Sequence, residues 1–282
     1  MGTYVVTGSA SGMGKAVVDR LRGAGHTVIT VDIKEADVVA DLATPDGRRD
    51  AAEKVLAACG GRLDGAVMAA GLGPLVNRER ARLILQVNYF GVIELLEAWR
   101  PALAATGHAR AVAFSSNSTT TAPALGRRTT KALLAGDADK ALAALKRLGK
   151  NGPTFAYMAS KTALAYWVRR NAVTREWAGS GIRLNAIAPG VIDTPMVEEQ
   201  LGDKSMEPHI RAFPVPTGGF GDAGILADWV VFMLGPAAEF LCGSVIFVDG
   251  GTDAYFRPDD WPQGVPLRRM RGYLKQMRST AR

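Results

Sequence analysis

Cysteine is scarce in this sequence, with two in 282 residues, too few for the disulfide framework of a small secreted domain. Cys59 and Cys242 fall where a helix end and a strand start are expected, which predicts two reduced thiols and no metal site. Long apolar runs are missing too. None approaches the roughly 20 residues that cross a bilayer. The N-terminus enters an apolar strand, Tyr4-Val5-Val6, at once, without the basic region and apolar stretch of a secretory signal. The expectation is a soluble, cytoplasmic protein with no membrane partner. Fixed-period repeats and low-complexity stretches are also lacking.

The net charge of +7 could fit an anionic partner, but its distribution argues otherwise. Beyond residue 256, Arg257, Arg268, Arg269, Arg271, Lys275, Arg278 and Arg282 face only Asp259 and Asp260, so this tail alone carries +5 and the rest is close to balanced. The cations show no regular aromatic interleaving suited to stacking bases. That pattern favours a solvated tail, one that shields the site or contacts a subunit, and no nucleic-acid partner.

What the sequence does have is alternation. Short apolar runs at 3–7, 27–32, 36–40, 65–69, 111–115, 183–188 and 244–248 are separated by longer helical patterns, as in repeated βα units. They predict an α/β, doubly wound fold with a seven-stranded parallel sheet, built as a single domain over residues 1–252 with a basic tail over 253–282. Residues 117–153 read as a helical insertion, with Leu133, Leu134, Ala138, Ala141, Leu142, Leu145 and Leu148 at helical spacing. Joining a strand end to a helix, the insertion either borders a substrate cleft or packs outside it. Residues 190–221 carry Pro195, Pro208, Pro214, Pro216 and Gly218-Gly219, too punctuated for one long helix, and predict a substrate lid.

Thr7-Gly8-Ser9-Ala10-Ser11-Gly12-Met13-Gly14 follows the first strand and opens the first helix. Glycine there lets the backbone approach a pyrophosphate, and the helix start attracts the anion. A P-loop reading of Lys15 fails, because Ser9 and Ala16 stand where glycine and Ser/Thr are needed. Asp32, at the end of the second strand, can accept hydrogen bonds from both ribose hydroxyls and would repel a 2′-phosphate, which predicts NAD over NADP. An Asp there can also be a plain turn residue.

Tyr157 and Lys161 lie four apart at the start of an apolar-periodic helix running to about Ala178 and so project from one face. A nearby ammonium would lower the pKa of the phenol and fit it for proton transfer. Ser115-Ser116 end the run Ala111-Val112-Ala113-Phe114 at the sheet's carboxyl edge, where a hydroxyl can stabilise charge developing on a substrate oxygen. Asn88 falls on the buried face of a long helix, where an amide positions a water or a lysine, or is a satisfied helix-bending residue.

Together, Thr7-Gly8-x-x-x-Gly12-x-Gly14, Asp32, Asn88, Ser116, Tyr157-x-x-x-Lys161 and Pro189-Gly190-x-x-x-Thr194 resemble the short-chain dehydrogenase/reductase family over residues 3 to about 251. The resemblance implies a Rossmann fold and a hydride-transferring oxidoreductase. It makes Tyr157 the catalytic acid/base, Ser116 the group that orients the substrate oxygen, Lys161 a second hold on the nicotinamide ribose, and Asn88 the anchor of a proton-relaying water. It adds Ser11, Met13, Ile33, Asp41, Leu42, Ala70, Gly71, Pro189, Gly190, Ile192 and Thr194 to Gly8, Gly12, Gly14 and Asp32 as cofactor-binding positions. Two departures stand out: Met68-Ala69-Ala70-Gly71 replaces the family's usual Asn-Asn-Ala-Gly, and the gap between Ser116 and Tyr157 is unusually long. The long gap, with Ala70-Gly71-Leu72-Gly73-Pro74, Val87-Asn88-Tyr89-Phe90-Gly91 and Arg257-Pro258, is similar to the bacterial 3α-hydroxysteroid dehydrogenase/carbonyl reductase branch.

The resulting expectation is NAD-dependent interconversion of a secondary alcohol and a ketone on an apolar, steroid-like substrate held by Met158, Val191, Met196 and Phe213. Reduction of smaller cyclic or xenobiotic ketones is an alternative, and a non-catalytic NAD-binding regulator is another. A homodimer through the last-strand side or a homotetramer is expected, with the insertion obstructing the second long helix.

Overall fold

A computed structural model describes residues 1–75, 79–121, 127–260 and 264–280. Residues 122–126 of the expected insertion and Arg282 of the tail lie outside them. Seven strands form one wholly parallel sheet: β1 (Thr3–Thr7), β2 (Thr27–Asp32), β3 (Val38–Val39), β4 (Gly65–Met68), β5 (Arg110–Phe114), β6 (Arg183–Pro189) and β7 (Val245–Val248). Their order is β3-β2-β1-β4-β5-β6-β7, so the winding direction reverses between β1 and β4. In an open α/β sheet the crevice beyond the carboxyl ends at that reversal is where a ligand sits.

The central strands are apolar and buried along their length, as strands covered on both faces must be. One face carries α1 (Gly12–Gly23) and α11 (Ala223–Leu234), which seal Val6, Val67, Val112 and Ile187. The other carries α2 (Pro45–Ala58), α3 (Arg80–Leu85), α4 (Gly91–Ala104) and α8 (Gly152–Asn171), which bury Trp99, Leu95 and Leu164.

Several boundaries moved for identifiable reasons. Strand β3 shrinks from the expected 36–40 to two residues, because Asp37 turns back to accept hydrogen bonds from the backbone N and hydroxyl of Thr30. Helix α8 stops at Asn171, short of the expected 178. Buried Trp177 mimicked a further helical turn because it packs edge-on against Trp167, with ring centroids 5.7 Å apart.

The insertion contains α5 (Ser118–Thr121), α6 (Arg127–Leu134) and α7 (Ala138–Leu145). Leu133, Ala141 and Leu145 are buried in the main core, so α6 and α7 clamp the outside of α3 and α8, while Asn117 and α5, among the described residues, reach the cleft. The alternatives for this segment are therefore divided between its two ends. The Pro-rich stretch folds as two short helices, α9 (Pro195–Leu201) and α10 (Glu207–Arg211), as its punctuation requires. After α12 (Thr252–Phe256), the tail ends in the exposed, basic helix α13 (Met270–Thr280).

Candidate active site

The glycine-rich turn is shaped by contacts that only glycine permits. Gly8 has φ +68°, and a Cβ there would lie 2.6 Å from the nitrogen of Ala70; a Cβ on Gly14 would collide with the carbonyl of Gly8. The turn is thus pressed between β1 and β4, with α1 opening directly above it. No side chain caps α1 and its first turn holds no acidic residue, so its leading N–H groups and dipole are open to an anion. Asp32 steadies this arrangement from β2, accepting from the backbone N of Ala10 at 3.0 Å and of Lys34 at 3.1 Å.

A cleft of about 580 Å³ runs from this turn and is lined by Gly8, Ser11, Gly12, Met13, Gly14, Asp32, Ile33, Asp41, Leu42, Ala70, Gly71 and Thr194. An extended dinucleotide fits this donor set: open helix N–H groups for phosphates, a carboxylate for ribose hydroxyls and the Ile33 and Leu42 side chains for a flat base. Pro189, Gly190 and Ile192 line the adjoining cavity instead, which shares Met13, Gly71, Thr194 and Met196 with the cleft.

That second cavity, of about 320 Å³, is lined by Ser115, Ser116, Tyr157 and Lys161. Ser115 and Ser116 separate by strand parity: Ser115 donates to the Lys161 carbonyl and ties β5 to α8, while the Ser116 hydroxyl accepts from the Ser118 nitrogen and lines the cavity together with the Tyr157 phenol. Lys161 is buried and its Nζ donates to the Phe114 carbonyl at 2.6 Å, 5.8 Å from the centre of the Tyr157 ring. Burial pulls its pKa down to about 8. Burial also raises the Tyr157 phenol above its ordinary value, with the neighbouring Ser116 hydroxyl opposing. This corrects the expectation that the ammonium lowers it: the dominant influence on Tyr157 here is desolvation.

Asn88 is fully buried, not in a regular helix but in a π turn, Gln86–Phe90, between α3 and α4. Its amide pairs with both backbone groups of Leu72, accepting from N at 2.8 Å and donating to O at 3.0 Å. A Cβ on Gly71 would sit 3.5 Å from Asn88 Oδ1 and 3.7 Å from Lys161 Nζ, which places all three at one corner of the site. Thr7 Oγ1 accepts from the Ala70 nitrogen and so supplies a side-chain tie after β4, where asparagine is absent.

A family profile described as "short chain dehydrogenase" matches residues 3–128, and one described as "Enoyl-(Acyl carrier protein) reductase" matches residues 141–253. The chain belongs to the short-chain dehydrogenase/reductase family. It is 38% identical over 258 residues to the 3-alpha-hydroxysteroid dehydrogenase/carbonyl reductase of Comamonas testosteroni, an alignment covering 92% of this chain and 99% of that protein. It is 29% identical to a 2,5-dichloro-2,5-cyclohexadiene-1,4-diol dehydrogenase of Sphingobium indicum, covering 89% and 97%. Among solved structures, the NADH complex of the 3-alpha-hydroxysteroid dehydrogenase of Pseudomonas sp. B-0831 superposes with a TM-score of 0.85 at 40% identity, covering 92% of this chain and all of that one. This short-chain dehydrogenase is an oxidoreductase acting on CH–OH groups, with a nicotinamide dinucleotide as its cofactor.

Met158, Val191, Met196 and Phe213, the expected pocket residues, all line the cavity. Sequence reasoning missed Gln200, Met206, His209 and Ile210, which α9 and α10 bring over it, and Ser118, whose buried hydroxyl has no hydrogen-bond partner among the described residues. It also missed Arg48. This buried side chain joins Leu42, Gln86 and Glu94, bracing the wall beside Asp41 against the turn that carries Asn88. An amphipathic pattern hid it, because arginine in a helix normally reads as a solvated residue.

Proposed function

We propose that this short-chain dehydrogenase uses NAD in preference to NADP to interconvert a secondary alcohol and a ketone on a sizeable apolar, steroid-like substrate. The observation that carries the reading is that Tyr157, Ser116 and Lys161 together line an apolar cavity that opens onto the dinucleotide cleft. A nicotinamide dinucleotide held by the Gly8–Gly14 turn, Asp32 and Thr194 would supply the hydride acceptor and donor. In alcohol oxidation Tyr157 accepts the hydroxyl proton while Ser116 hydrogen-bonds the same oxygen, and in reduction Tyr157 returns that proton. Lys161, charged at neutral pH, makes the phenolate less costly once its ammonium turns from the Phe114 carbonyl toward the ribose and phenol. Asn88 holds the Leu72 backbone and so fixes the corner through which the proton leaves.

Asp32 supports the NAD preference, since its carboxylate stands at the end of β2 with free lone pairs for ribose hydroxyls. A cavity of about 320 Å³ is at the lower end of the range that encloses drug-sized ligands. Its four methionines, Met13, Met158, Met196 and Met206, also favour a second reading, reduction of varied cyclic or xenobiotic ketones, because thioether side chains repack around different shapes. The relatives named for hydroxysteroids and for a chlorinated cyclohexadienediol support both. A non-catalytic regulator has no use for the assembled Ser116, Tyr157 and Lys161.

The protein is further proposed to be cytoplasmic and to pair through α11 and β7. Ile225, Trp229 and Phe232 form an exposed apolar stripe on α11, whereas α6 and α7 cover the outside of α8. Light scattering should find a dimer that Trp229→Asp dissociates; a tetramer insensitive to that change overturns the pairing. Activity is tested by following NADH and NADPH absorbance with a panel of polycyclic and small cyclic ketones and alcohols. Turnover of polycyclic substrates with NAD(H) is expected, and inertness toward the whole panel defeats the proposal.

A further inference from the structure

The tail beyond β7 carries a surface that the rest of the molecule leaves uncovered. A single turn, Leu267–Arg269, leads into α13, and the whole segment lies past residue 253, where the family match ends. Leu267, Met270, Tyr273 and Leu274 recur at three- and four-residue steps and so share one helix face, and all four are exposed. Arg271 and Lys275 run along one border of that face and Arg269 along the other, with Arg268 behind.

This is more than the solvated tail that its charge alone suggests. An exposed apolar stripe rimmed by polar groups marks a contact surface. Residues 261–282 hold no Asp or Glu. Arg268, Arg269, Arg271 and Lys275 make no ion pair among the described residues, whereas Arg257, just before them, is held by Asp253 at 2.9 Å. The counterpart must therefore be apolar beneath the stripe and negative along its borders. A bilayer with anionic headgroups is both, because its acyl boundary takes the stripe while the headgroups meet the cations. Tyr273, at the edge of the stripe, has an apolar ring and a hydroxyl that reaches the polar layer. A second copy of this chain fits less well, since the body outside the tail is itself slightly basic. A nucleic acid would leave Leu267, Met270 and Leu274 in water.

We propose that α13 is a peripheral membrane anchor, lying in the plane of an anionic bilayer surface with Leu267, Met270, Tyr273 and Leu274 sunk into the headgroup boundary. Among the described residues no helix is long and apolar enough to cross a membrane, so the contact is with one surface only. The tail leaves the body at the substrate side. Phe213, which lines the cavity, packs against Phe256 of α12 with ring centroids 6.2 Å apart, and Phe256 and Tyr255 are exposed beyond it. An anchored chain would hold that rim within reach of the bilayer, where apolar molecules concentrate. The anchor itself does not depend on the catalytic reading of Tyr157.

The test sediments the full chain with vesicles of phosphatidylcholine alone and of phosphatidylcholine with about one-third phosphatidylglycerol, at low salt. Wild type should bind the anionic vesicles about tenfold better or more, and about 0.5 M salt should release most of it. Leu267→Ser with Leu274→Ser keeps the charge and should weaken binding by about tenfold. Arg271→Gln with Lys275→Gln should weaken it by about tenfold or more. Both variants should keep the wild-type Tm and NADH affinity, since neither touches a cofactor or catalytic residue. The proposal is overturned if wild type ignores both vesicles or binds them alike. It is also overturned if the serine variant binds as well as wild type, which would leave adsorption by charge alone, or if that variant changes only the subunit count, which would seat the stripe on a second copy.

Discussion

The two halves of the cleft are built by different means. On the cofactor side, the chain backbone makes the surface: Gly8, Gly12 and Gly14 carry no side chain, the N–H groups of α1 point outward, and Asp32 holds the turn to β2. On the substrate side, large side chains make it, contributed by α5, α8, α9 and α10 and the ends of β5 and β6. A backbone cradle recognises what every dinucleotide shares. A wall of Met, Phe and Ile can change its specificity without disturbing the fold, so the first half fixes the cofactor and the second chooses what is reduced.

The most damaging change should fall where the halves meet. Tyr157→Phe removes only the hydroxyl that moves the proton and should lower kcat by about 10² to 10⁴-fold while NADH still binds, which fluorescence titration checks. Near wild-type turnover would dissolve the proposed junction.

Lys161→Met should separate function from stability. Its pKa falls from 10.5 to about 8 on burial, so below pH 8 the folded protein carries a charge that burial opposes, a penalty of up to about 3 kcal/mol. The variant should be inactive yet more stable to urea at pH 7. Between pH 8 and 10.5 the unfolded chain binds the proton that the folded chain has released, so wild-type stability rises with pH and the advantage of the variant shrinks. Equal stability of the two proteins at pH 7 would remove burial as the cause.

Asp32→Ala tests the cradle alone. Losing hydrogen bonds to a charged group should raise KM for NAD by about tenfold or more and narrow the discrimination against NADP, with kcat for the substrate little changed. A wild-type enzyme faster with NADPH at equal low concentration would refute the assignment of Asp32.

The smallest effect is expected over α9 and α10. Hydrogen exchange over 192–213 should slow when NAD binds at Ile192 and Thr194 and slow further with substrate, as for a closing lid. Arg80 already joins the Gly73 carbonyl to Glu199 of α9, so part of that closure is latched through α3. Exchange unchanged by either ligand would leave α9 and α10 as a fixed wall.

Read alone, the sequence determined what depends on neighbours in the chain. Alternating apolar runs gave all seven strands; the glycine spacing gave the turn at Gly8–Gly14; the four-residue step from Tyr157 to Lys161 gave their shared helix face. Periodicity and local backbone preference act over a few residues, and they need no knowledge of what packs opposite. Tertiary structure decided the rest. Only packing could tell that Ser115 ties β5 to α8, that Asn88 occupies a π turn and grips Leu72, and that Arg48 is a buried brace. It also decided that burial, rather than the lysine charge, governs the Tyr157 pKa. Those properties depend on groups 16 to 46 positions away in sequence, and desolvation is set by everything that surrounds a side chain, which no local pattern records.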